Sequence, residues 1–156
     1  MNSSYLPFII WLMLGITIFM ISKTTRNHKV KKQIDILNDD LKDQIISRKN
    51  FVKCETFTSG RRTSAYRFNY CDLIFFKESF LIIGYDKYGN SKSFVKKIFI
   101  SKGIVNKTEK LKKINLHSFG NEVYIEFGES SFSSTGVEIR LKGLSEEEKK
   151  LIVVNN

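Results

Sequence analysis

The chain has 156 residues, 42% apolar and 13% aromatic, with 26 Lys and Arg against 16 Asp and Glu and a formal net charge of +10. Every charged side chain lies beyond residue 22, so the whole excess belongs to the rest of the chain and calls for an anionic neighbour. No internal repeat or low-complexity tract interrupts it, and the roughly one hundred residues left after the N-terminal segments suffice for one hydrophobic core but not two.

Residues 5–22, YLPFIIWLMLGITIFMIS, are uncharged, and at about 1.5 Å per residue a helix of this length covers roughly 27 Å, close to the hydrocarbon thickness of a bilayer. A cleaved export signal would show a basic start and a small-residue cleavage site. Here MNSS has no charged side chain and the exit is Ile21-Ser22-Lys23. Apolar residues on every face leave no polar side to turn to water. The expectation is a single-pass transmembrane anchor over 1–22. Lys23, Arg26, Lys29, Lys31 and Lys32 follow at once with no acid among them. The positive-inside rule then predicts the cytoplasmic (inner) membrane, with the N-terminus outside, the C-terminal domain in the cytoplasm and the bilayer as integral partner.

Over residues 29–49, Val30, Ile34, Leu37, Leu41 and Ile45 recur at helical steps, with Lys, Asp and Gln opposite. This predicts an amphipathic stalk helix whose stripe either forms a short dimerising seam or packs on the following domain. From about residue 50 the period changes to two. Tyr66, Phe68 and Tyr70 alternate with Arg67 and Asn69; Val123, Ile125 and Phe127 alternate with Glu122, Tyr124 and Glu126; Val137, Ile139 and Leu141 form a third such set. Seven antiparallel strands are predicted, near 51–58, 65–76, 80–86, 93–101, 111–119, 122–128 and 135–142, joined by short turns. Ser145 and Glu148 have capping-box spacing and open a C-terminal helix with acids in its first turn. The chain thus divides into an anchor (1–22), a basic juxtamembrane and helical stretch (23–49) and a β domain (50–156), mainly β with helices.

Seven antiparallel strands followed by one helix, with the hairpin NYCDLIFFKESFLIIG at 69–84, resemble the bacterial pleckstrin-homology-like (PH/GRAM-like) domains over roughly residues 51–153. With Trp11 the only tryptophan and none in the C-terminal helix, the likeness is to bacterial rather than classical eukaryotic members. The resemblance implies two near-orthogonal sheets forming a partly open barrel with the helix plugging one end. It also implies basic residues around the first strand and hairpin for an anionic headgroup. The matching residues are Lys53, Arg61, Arg62 and Arg67, without the family's basic-x-Arg spacing. Arg61 and Arg62 on a Ser/Gly/Thr loop could grip phosphate through forked donors, or be a solvated hairpin tip. A second basic tract from Lys92 to Lys113, including Lys96 and Lys97, holds one acid, Glu109. It could face anionic phospholipid or an acidic partner, or be scattered surface lysine; nucleic acid ranks below these.

Catalysis finds little support. His28 and His117 are isolated, and Cys54 and Cys71 have no His nearby at zinc-ligand spacing. The two cysteines read as semi-buried thiols in a reducing compartment, with pairing left open. No nucleophile elbow, phosphate loop or dinucleotide fingerprint appears. No metal or cofactor is expected. The functional expectation is a membrane-anchored, non-enzymatic PH-like scaffold or adaptor that binds a protein partner, or itself as a weak homodimer. The alternative is binding of anionic phospholipid headgroups through the basic surface.

Overall fold

A computed structural model describes residues 5–40, 42–60, 63–88, 91–106, 109–116, 121–129, 131 and 134–154. Helix α1 (Leu6–Asp40) leads into strand β1 (Ile45–Gly60). Then follow β2 (Tyr70–Phe76), β3 (Ser79–Tyr88), β4 (Ser91–Ser101), β5 (Ile104–Val105), β6 (Glu109–Leu116), β7 (Glu122–Phe127), β8 (Thr135–Lys142) and helix α2 (Glu146–Val154). The strands pair antiparallel in chain order and β8 returns to β1, so the sheet is an eight-stranded closed barrel.

Closure depends on β1, whose 16 residues serve two partners. Its first half pairs with β2, from Ile45↔Phe76 to Lys53↔Tyr70, and its second half with β8, from Lys53↔Lys142 to Gly60↔Thr135. Register shifts after Ile45 and Lys49 bend the strand between them. Alternation then sorts the side chains. Val52 and Cys54, Cys71, Leu73 and Phe75, Phe80 and Ile82, Ile98 and Ile100, and the apolar sets of β7 and β8 all point inward and are buried in one core. Leu144 and Ile152 join that core beside α2. Gly84 faces this interior because Phe68 needs the space: a Cβ there would lie 2.5 Å from the Phe68 ring. The outward faces of β2 and β3 are apolar too. Ile74, Phe76, Leu81 and Ile83 form a second buried cluster with Ile45, Phe94 and Phe99 against it, and α1 lies against β4 of the same sheet.

The predicted architecture needs correction in four places. The barrel is closed and has eight strands, not seven in a partly open arrangement. The missed strand is β5, whose 2 residues are too few to show any period. The separate stalk helix over 29–49 does not exist. One helix of 35 residues runs from Leu6 to Asp40, and Ile45 to Lys49, read as its last turn, belong to β1. The stripe residues Val30, Ile34, Leu37 and Leu41 lie outside the described side chains. Residues 63–66 form a 3-10 turn rather than the start of a strand.

The fourth correction concerns the membrane. Among the described residues no helix is long and apolar enough to cross one. The single-pass transmembrane anchor, the inner-membrane localisation with its inside-out orientation, and the bilayer as integral partner fall with that finding. Roughly 27 Å of uncharged helix falls short of a hydrocarbon core of about 30 Å. The stretch is instead the front of a longer helix that continues without a break into its basic residues.

Candidate binding surface

The residues singled out from sequence do not assemble into one cradle. Lys53 is exposed on β1 at the point where its pairing passes from β2 to β8. Arg67 is exposed and lines a shallow pocket that also contains Glu55 and Asp86, an acidic setting that disfavours an anion. Lys96 and Lys97 are neighbours on β4 and so point to opposite faces. Lys96 pairs with inward Gly84 and its ammonium sits 4.5 Å from the ring centre of buried Tyr66, whereas Lys97 pairs with outward Ile83. Arg61, Arg62 and His117 lie outside the described residues. In the membrane-proximal cluster Lys29, Lys31 and Lys32 are exposed on α1; Lys23 and Arg26 belong to α1, but their side chains are outside the described set.

Much of the remaining charge is used internally. Asp72 accepts from the Phe51 N–H at 3.0 Å, the Tyr85 hydroxyl at 3.0 Å and Lys92 at 2.6 Å. Lys92 lies 4.3 and 4.4 Å from the ring centres of Phe51 and Tyr85. Burial first, and the Asp72 carboxylate second, push the Tyr85 hydroxyl well above its ordinary range. Phe51 takes φ +60, a strained conformation for a bulky residue, at the second register shift of β1. No periodicity could reveal this cluster, because its members come from four strands.

On the β1–β8–β7 wall, Lys142 reaches Glu55 at 2.5 Å and Glu122 at 3.6 Å. The Lys142 hydrogen bond holds the Glu55 carboxyl below its usual range. Arg140 pairs with Glu138 and lies over the Phe57 and Tyr124 rings. Cys54 and Cys71 are buried free thiols, and the hydrogen bond that the Cys71 S–H donates to Cys54, together with burial, raises the Cys71 thiol well above its ordinary value. Among the described residues no group of three His, Cys, Asp or Glu could hold a metal.

The barrel is thinnest around β5. It meets β4 only through Ile100↔Val105 and Ser101↔Ile104, and β6 only through Ile104↔Lys110 and Val105↔Glu109. Beyond the Leu111 N–H, which donates to the Gly103 carbonyl at 2.8 Å, β6 runs on from Lys112 to Leu116 with β7 on one side. Its other edge has no strand beside it among the described residues. Alternate backbone N–H and C=O groups along an antiparallel strand face each edge, so this one offers ladder partners to an incoming chain. The β6 edge went unseen in the sequence, because which edge of a strand is left open is decided by the pairing of others.

No family model, curated protein or solved structure matches the chain.

Proposed function

We propose that this chain is a non-enzymatic interaction module of pleckstrin-homology-like type that binds a protein partner on the outside of its barrel. The partner contributes an extended segment that adds to the open edge of β6. The observation carrying this reading is that edge, from Lys112 to Leu116, which has no strand beside it among the described residues because the neighbouring strand β5 has only 2 residues. The element order, meandering strands followed by one helix, supports the type. The filled interior supports an exterior site, since side chains from the β1–β4 wall and from β7 and β8 pack in one core.

A photo-cross-linking side chain placed at Lys113 of the full chain, compared with one at exposed Lys77 in the β2–β3 turn, tests the reading. A polypeptide adduct formed from position 113 and not from 77 is the expected result. Equal labelling from both positions overturns it.

Anionic phospholipid headgroups are the second reading, favoured by the three exposed lysines, Lys110, Lys112 and Lys113, on that same strand. Sedimentation with neutral and anionic vesicles over a salt series separates the two. Headgroup binding is anion-selective and falls steeply with salt, whereas a strand ladder persists.

A further inference from the structure

We propose, on the strength of the strand-addition reading above, that the segment taken up by β6 alternates apolar and acidic residues and that a second copy of this chain is disfavoured as its source. The faces of β6 follow from its partners on β7. Leu111 pairs with Phe127 and Ile114 with Ile125, and both partners are buried, so Leu111 and Ile114 face inward and pack against the core. Leu116 lies two residues beyond Ile114 on the same face, and 43% of it is exposed at the open rim. Lys113 pairs with exposed Glu126 and faces outward. Lys112 reaches the same Glu126 at 3.8 Å through side chains 42% and 47% exposed, a loose pair that a competing carboxylate can displace.

A guest strand lying about 4.8 Å from β6 inherits this division. Its inward residues meet Ile114 and Leu116, its outward residues meet the lysines, and the two sets alternate because strand side chains have a period of two. Apolar and carboxylate residues in alternation satisfy both faces; basic residues, or acids grouped in a block, satisfy at most one.

The same lysines act against self-pairing. Two β6 edges set antiparallel about this point place Lys112 and Lys113 of one copy beside those of the other, and like charges directly across a ladder are destabilising. Edge lysines are a common device against edge-to-edge association. Here they leave the edge open to an acidic guest.

The test uses the full chain and hydrogen exchange of the β6 amides, with blocked heptapeptides as probes. One alternates Glu and Val, one has the same composition with the Glu residues in a block, and one alternates Lys and Val. The alternating acidic peptide is expected to slow exchange over 112–116 at least tenfold, with the other two weaker by about tenfold or more. Lys113→Glu is expected to abolish the effect and the milder Lys113→Gln to weaken it, which keeps the test valid if the charge reversal fails to fold. Equal protection by the block peptide, or protection that grows with protein concentration when no peptide is present, overturns the proposal. So does protection by none of the peptides. A persisting cross-link at position 113 would then leave the broader reading standing, and loss of both would remove it as well.

Discussion

The barrel wall and the first half of α1 are both rich in large apolar side chains, yet they meet opposite fates. Leu73, Phe80, Ile82, Ile98 and Ile139 are 0% exposed, whereas Phe8 is 68% exposed and Trp11 75%. The difference lies in arrangement. A strand with a period of two offers one apolar face, and a closed ring of such strands turns every apolar face toward a shared interior. A helix apolar all round cannot hide every side against a single neighbour, and the front of α1 leaves Ile9, Ile10, Leu12, Met13, Leu14 and Ile16 more than half exposed. Hydrophobicity alone therefore says little about where a residue ends up; the geometry of the element that carries it decides.

That contrast can be broken or sharpened by mutation. The largest effect is expected in the wall, where Ile139→Ala or Leu73→Ala should lower unfolding free energy by about 2–5 kcal/mol through lost burial and the cavity left behind, read by denaturant titration. Gly84→Val drives a side chain into the Phe68 ring and should cost about 1–3 kcal/mol by overpacking. Asp72→Ala strips the acceptor from the Phe51 N–H, the Tyr85 hydroxyl and Lys92 together, with an expected loss of about 1–3 kcal/mol. At the small end, Leu14→Ala in α1 should move the same transition by less than about 0.5 kcal/mol, as an exposed position does. A loss there as large as at Leu73 would show that the front of α1 has a partner within the molecule, and the contrast would collapse.

A fifth expectation concerns acid. Burial works against the charged form of Glu148, but the Ser145 N–H and Lys49 outweigh it and hold the carboxyl below its ordinary value. A group with a depressed folded pKa contributes stability above its unfolded value, about 4.3 for glutamate, and that contribution fades as pH falls through the folded value. Glu148→Gln should therefore flatten the loss of stability below about pH 4.5 while lowering stability at neutral pH. An unchanged pH profile would mean that the capping box at the start of α2 contributes no linkage.

Much of the barrel was legible in advance for a physical reason: half-buried strands write their burial into the chain as alternation. The apolar sets of β7 and β8 lie inward as that alternation requires, and the Ser145 and Glu148 spacing forms the reciprocal cap, Ser145 N–H to Glu148 at 2.8 Å and Glu148 N–H to Ser145 Oγ at 3.3 Å. Two residues at β5 carry no alternation. The end of α1 was placed too late because Ile45 continues a helical spacing although it pairs with Phe76 in the sheet. The basic residues misled in a different way, because charge in sequence says nothing about which acid stands opposite. Lys92, the first residue of the basic tract, is held by Asp72, and Lys102 by Glu78 at 2.9 Å.

By itself the sequence determined that the mass of this protein is antiparallel β with a capped helix at its end, since period, turns and caps are local properties read residue by residue. Only the tertiary structure decided that the sheet closes, that β1 divides between two partners, that Asp72 gathers groups from three other strands, and that among the described residues one edge of β6 has no strand beside it. Each of these depends on contacts between residues far apart in the chain, and no local pattern records which distant strand a given edge will meet.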